Sequence, residues 1–132
     1  MRSLLAALCL IAVTGCFFGS PTEPGPVDQT VTLAPGQSAS ITGTSVTLKF
    51  DGVAGDNRCP ADAMCVLGGS ATVKILAASS SGNRTLTFET GKLEPVEHAG
   101  LTVELTQLVP YPFSASPIKH EDYRATLRVS RR

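Results

Sequence analysis

The chain contains no tryptophan, and its aromatics are limited to two Tyr and five Phe among 132 residues. An immunoglobulin domain packs a core Trp against an inter-sheet disulfide, so that family's signature is missing. Two His and two Met leave few side chains for acid–base work or soft-metal ligation. Eleven bases balance eleven acids, which gives no electrostatic reason to expect nucleic acid as a partner. No Ser, His and carboxylate form a nucleophile motif. Gly68-Gly69 precedes no helix, so no phosphate cradle is expected. Asp51, Asp56 and Asp62 lack the spaced pattern and closing Glu of a calcium loop, and read as turn-forming carboxylates. Neither an enzyme nor a cofactor is expected from these absences.

What the chain does carry begins at its first residues. Arg2 is followed by an almost unbroken apolar run, Leu4 to Val13, and then by Thr14-Gly15-Cys16. A charged start, a short apolar middle and small residues form the order of a secretory signal. The run falls short of the roughly 20 apolar residues of a membrane-spanning helix. Gly19-Ser20-Pro21, which cannot continue a helix, follow at once. Val13-Thr14-Gly15-Cys16 resembles the lipobox of bacterial lipoproteins. The resemblance implies cleavage before Cys16, diacylation of its sulfur and acylation of the new amino terminus. Three such chains exceed the two-signal threshold for stable anchoring, so a membrane is the expected partner. Phe17, in place of an Asp, favours the outer membrane where the cell has one. An ordinary secretory signal that leaves Cys16 unmodified is the competing reading. Without residues 1–15 the chain keeps ten bases against eleven acids. Arg124, Arg128, Arg131 and Arg132 then read as a solvated last strand and tail.

Residues 16–29 are expected to be the lipidated cysteine and a tether, because Pro21, Pro24 and Pro26 block helix and sheet alike. Residues 30–132 fit one domain. Val46, Leu48 and Phe50 alternate with polar residues, as do Ala71-Val73-Ile75-Ala77, Leu86 and Phe88, Leu101-Val103-Leu105, and Tyr123-Ala125-Leu127-Val129. Val31 and Leu33, then Ala39 and Ile41, suggest two short strands joined across Pro35-Gly36. About seven short strands with one-sided alternation and turn-rich punctuation predict a small antiparallel β-sandwich of immunoglobulin-like architecture, with a barrel as second choice.

Two cysteines remain in Asp56-Asn57-Arg58-Cys59-Pro60-Ala61-Asp62-Ala63-Met64-Cys65, between the Phe50 strand and the Ala71 strand. In an exported protein they are expected to pair as Cys59–Cys65. Three functional readings stand beside that structural one. Metal binding would draw on Met64, His98 and His120, although the cysteine spacing is not that of a zinc knuckle. A catalytic thiol would need one cysteine free. A disulfide-stiffened loop carrying Arg58, Pro60, Asp62 and Met64 would lose little entropy on entering a partner such as a protease cleft. Pro110-Tyr111-Pro112-Phe113 is the second unusual stretch. It reads as a crossover closing one end of the core, or as a binding lip offering Tyr111 and Phe113.

Asn57-Arg58-Cys59-Pro60, then Cys65, then Gly68-Gly69-Ser70-Ala71 resembles a segment of small bacterial lipoproteins with an Asp/Asn-x-Arg-Cys-Pro loop. Weaker likeness extends to Pro110-Tyr111-Pro112 and the Tyr123 strand. Where those proteins often carry an aromatic after the second cysteine, this chain has Val66 and Leu67. The resemblance implies fold and location and brings no activity with it. The function expected is a lipid-anchored, non-enzymatic binding or structural module of the cell envelope, with a protein as its possible partner. An inhibitor of an envelope protease or hydrolase acting through the Cys59–Cys65 loop, and a metal-handling protein, are the alternatives.

Overall fold

Alternating apolar residues need a second apolar face to cover them, and two four-stranded sheets supply it here. The structure is a computed structural model that describes residue 19, residues 23–92 and residues 94–132. The segment expected to be a signal peptide, Cys16 and residues 17–18 and 20–22 of the expected tether lie outside the described residues. The strands are β1 (Val27–Leu33), β2 (Ser38–Ser40), β3 (Thr47–Asp56), β4 (Ala71–Ser79), β5 (Gly82–Glu89), β6 (Val96–His98), β7 (Leu101–Val109) and β8 (Arg124–Arg131). One sheet runs β1-β8-β7-β6 and the other β2-β3-β4-β5, with every pairing antiparallel. The sheets do not close on one another, so the fold is the sandwich and not the barrel.

Phe50, Val73, Ile75, Leu101, Val103, Leu127 and Val129 are fully buried between the sheets. Each was expected on an inward face from alternation alone. Two strands run longer than their alternation suggests, because bulges reverse the parity. In β3 the pairing shifts between Phe50 and Gly52 and again between Val53 and Gly55. In β7 it shifts between Leu105 and Gln107, which leaves Leu105 half-buried and turns Leu108 inward. Gly52 takes a φ of +136°, and a Cβ there would meet His120 Cε1 at 2.6 Å, so glycine is required at that bulge.

β1 and β2 belong to different sheets. Gln29 bridges them, its Oε1 accepting from Thr42 N–H at 2.9 Å and its Nε2 donating to Ser40 O at 3.4 Å. β1 starts at Val27, which pairs with Arg131 and is buried. The tether expected over 16–29 therefore gives way to strand at Val27, three residues early, because an apolar residue there can still cover the core. β6 was not expected. It is three residues long and joins β7 through Ala99-Gly100, both at positive φ, which suits a two-residue hairpin.

Chain entry and the cysteine loop fall at opposite ends. Val27 lies against Arg131, and Arg131 holds the Gly25 carbonyl at 2.8 Å. Leu33, Ala125, Arg124 and Val109 mark the other end of that sheet, some 20 Å away at roughly 3.4 Å per strand residue.

Truncating Phe50 or Leu127 to Ala is expected to destabilise by about 2–5 kcal/mol through lost burial and the cavity left. Lys49→Ala, on the outer face, should stay within about 0.5 kcal/mol. Urea unfolding of the three variants checks the register, since a one-residue slip would exchange the two results.

Candidate functional site

The end of the sandwich opposite the chain entry is built from two loops, 57–70 between β3 and β4 and 110–119 after β7. A buried polar cluster holds them together. Arg58 is only 7% exposed. Its Nε donates to Asp56 Oδ1 at 2.8 Å and its Nη2 to Asp56 Oδ2 at 2.7 Å, a two-pronged ion pair. Nη1 donates to Leu108 O at 3.0 Å, and Nη2 also reaches Pro110 O at 2.9 Å. Tyr123 donates its hydroxyl to Asp56 Oδ2 at 2.9 Å, and the Tyr111 ring lies 5.2 Å from the guanidinium carbon. The hydrogen bonds from Arg58 hold the Asp56 carboxyl below its ordinary pKa, against the opposing effect of burial, with Tyr123 adding to the lowering. Burial, and then its bond to Asp56, push the Tyr123 hydroxyl upward.

Arg58 was expected as a contact residue of the loop. The structure turns it inward instead, where a free guanidinium would be prohibitively costly and four acceptors neutralise or satisfy it. The importance of Asp56 and Tyr123 was not read from the sequence. An Asp two residues before an Arg, at the end of a strand, was the only local signal for the pair.

Beyond Arg58 the chain forms the Cys59–Cys65 disulfide, with Cα atoms 6.0 Å apart. The first half of the ring is fastened to the facing loop. Ala61 N–H donates to Pro112 O at 2.9 Å, and Ser114 donates through N–H and Oγ to Asp62 Oδ1 at 2.8 and 3.1 Å. Those bonds, the backbone one first, hold the Asp62 carboxyl below its ordinary pKa. Pro60, within the ring, is half-buried. Asn57 N–H to Ser70 O, at 2.9 Å, closes the base of the loop. Gly69 packs so tightly there that a Cβ would run into the Asn57 carbonyl.

The second half stands free. Met64 and Val66 are as exposed as in an open peptide (103% and 101%), and Leu67 nearly so. Among the described residues no hydrogen bond joins Met64–Gly69 to the rest of the protein. Tyr111 and Phe113 are half-exposed on the facing loop. The structure thus brings Pro60, Asp62, Met64, Tyr111 and Phe113 to one end, with Met64, Val66, Leu67, Tyr111 and Phe113 as an exposed apolar tip. Loop residues 59–70 and 110–118 contain a single ionisable side chain outside the disulfide and Tyr111, and it is Asp62.

A cleft of about 390 Å³ runs beside this end, between Glu89–Lys92 and Leu105–Val109, with Tyr111 at its mouth. Its size suits a small ligand, yet its charged groups are already engaged. Lys92 pairs with Glu89 at 2.8 Å and Arg58 with Asp56. Met64, His98 and His120 stand on three separate elements: the tip, β6, and the short 3-10 turn His120–Asp122 against Gly52. Among the described residues no three His, Cys, Asp or Glu gather to hold a metal ion. No described helix is long and apolar enough to cross a membrane. The fold and this end define an all-β sandwich that presents a disulfide-closed loop. No protein-family model matches the chain, and no curated protein or solved structure matches it either.

Arg58→Ala should destabilise by about 3–5 kcal/mol, because it strands the Asp56 charge in a buried position. The depressed Asp56 pKa makes its contribution complete above the unfolded carboxylate pKa near 3.9. That contribution is lost as pH falls through the lower folded value. Stability should therefore drop below about pH 4, and more steeply in the wild type than in Asp56→Asn. Urea midpoints from pH 2 to 7 measure this.

The Cys59→Ala/Cys65→Ala double variant should lose about 1–3 kcal/mol with its fold intact, as expected for closing a ring of this size. Intact mass after alkylation without reductant should show neither cysteine labelled. Labelling of both would contradict the bond.

Proposed function

We propose that this is a lipid-anchored, non-enzymatic envelope protein that holds its ligand-binding surface at the end away from its anchor. The observation that carries this reading is the apolar tip. Met64, Val66 and Leu67 project fully into solvent from a loop that a disulfide and four hydrogen bonds hold in place. Exposed apolar side chains on a stiffened loop are poor for solubility and good for binding, since little entropy remains to be lost on contact. A loop needed only to reverse the chain between β3 and β4 could do so with about two to five polar residues. The lipobox-like Val13-Thr14-Gly15-Cys16 supports anchoring through Cys16, and the prolines before Val27 support a spacer. Entry of the chain at the Val27–Arg131 end then leaves the tip facing away from the anchor.

The partner is a protein rather than the membrane surface. Elements that lie in a bilayer interface carry several Lys or Arg beside their apolar face. Residues 59–70 and 110–118 carry Asp62 as their one charged side chain, and a single base, Lys119, stands next to them at the start of the 3-10 turn. The paired charges around the neighbouring cleft, and the absence of any catalytic grouping in the sequence, support a binding role over catalysis.

Cys16→Ser should move the protein from the membrane to the soluble fraction with its stability unchanged. Labelled palmitate should enter the wild type only. Failure of the wild type to incorporate palmitate would remove the anchor from this reading.

A further inference from the structure

Met64, the most exposed side chain of the tip, is joined to Cys65 by a peptide bond that lies inside the seven-residue ring closed by Cys59–Cys65. Two consequences follow from that placement. The bond is offered to the outside, because Met64 projects fully and the following residues keep their backbone groups free. Its two sides cannot part if it is cut. The side ending in Met64 runs back to β3, and the side beginning at Cys65 stays bound to Cys59 through sulfur. The base of the loop is closed a second time by Asn57–Ser70 and by the pairing of Asp56 with Ala71. The ring is also braced from behind, by Ala61 on Pro112 and Asp62 on Ser114.

We infer that the tip occupies the cleft of an endopeptidase with an apolar primary pocket, Met64 filling that pocket, and acts as an inhibitor. The inference rests on the tip being the protein's binding surface. A peptide-cleaving enzyme reads an exposed backbone through hydrogen bonds and one side chain through its pocket, and Met64–Leu67 supplies both. Met is unbranched and polarisable, which suits a deep apolar pocket of imperfect fit. The residues after it are neutral and apolar, Ala63 precedes it, and the Asp62 carboxylate is held by Ser114, so apolar walls next to the scissile position are matched. A flexible loop with the same residues would be a substrate, because its ends would diffuse apart after hydrolysis. Here the held ends and prepaid loop entropy favour tight binding and rejoining over release. Lipid and a second copy of the chain are the other occupants an apolar tip can have.

The test uses the full-length protein in detergent with chymotrypsin and subtilisin as apolar-pocket probes and trypsin as the cation-pocket control. Competitive inhibition of the first two without inhibition of trypsin is expected. Met64→Asp should raise the inhibition constants by about 30-fold or more at unchanged thermal stability, as for the loss of an interface hot spot. Met64→Lys should transfer inhibition to trypsin. After reduction and alkylation, the same enzymes should cut the chain at Met64–Cys65, giving two fragments on a denaturing gel. A photo-crosslinker placed at Val66, used in intact cells, separates this inference from the reading beneath it. Crosslinking to a protein with no inhibition of either apolar probe would overturn the inhibitor and leave the binding tip standing. Crosslinking to no protein would overturn both. Flotation with phosphatidylcholine vesicles that is lost in Met64→Asp would assign the tip to lipid, and a Met64-dependent dimer in sedimentation would assign it to a second copy. Either result would overturn the inhibitor.

Discussion

One guanidinium holds the functional end of this molecule together. Arg58 leaves β3 two residues after Asp56 and immediately binds back to it, and its remaining donors reach carbonyls at the end of β7. Leu108 belongs to the other sheet and Pro110 follows directly after β7, while Tyr123, one residue before β8 of that sheet, completes the Asp56 carboxylate. A buried ion pair is a weak contributor to stability when compared with a packed apolar substitute. What it does here is geometric. Planar, directional donors connect two sheets and two loops at fixed positions, which an apolar cluster of equal volume would not do.

The rest of the end follows from that anchor. With Arg58 fixed, Cys59 is placed to receive Cys65, and the Ala61–Pro112 and Asp62–Ser114 bonds fall into register. Arg58 and Asp62 are then used internally, and the large side chains left exposed on the two loops are mostly apolar: Met64, Val66, Leu67, Tyr111 and Phe113. The far end shows the reverse character. There Arg131 holds Gly25, Arg128 pairs with Asp28 across exposed strands, and the surface is charged. A polar end where the chain enters and an apolar end away from it give the sandwich a direction.

The faces of most strands were legible in the residues. Period-two patterns at Val46–Phe50, Ala71–Ala77 and Tyr123–Val129 identify which side chains are buried, because one-sided burial leaves no other economical pattern. The cysteine pairing was legible for the same kind of reason, two cysteines within one reversal. Three features were not. Bulges at Asp51, Ala54 and Thr106 reverse the parity within β3 and β7, and nothing in the local composition marks them except Gly52 and Gly55. β6 is too short to show a pattern, and it exists because β7 offers it an edge. The orientation of Arg58 was hidden because a charged residue in a polar loop is usually solvated. Its burial depends on acceptors at Leu108 and Pro110, fifty residues away in the chain. That dependence is a property of the assembled sheets.

Amide hydrogen exchange in Arg58→Lys tests most directly whether this residue positions the tip. Lys keeps the charge beside Asp56 but lacks the fork that reaches Leu108 and Pro110. Exchange at Ala61 and Ser114 should quicken by about tenfold or more, while Val73 and Leu127 in the core stay close to their wild-type rates. Unchanged protection at Ala61 and Ser114 would show that the two loops hold each other without Arg58.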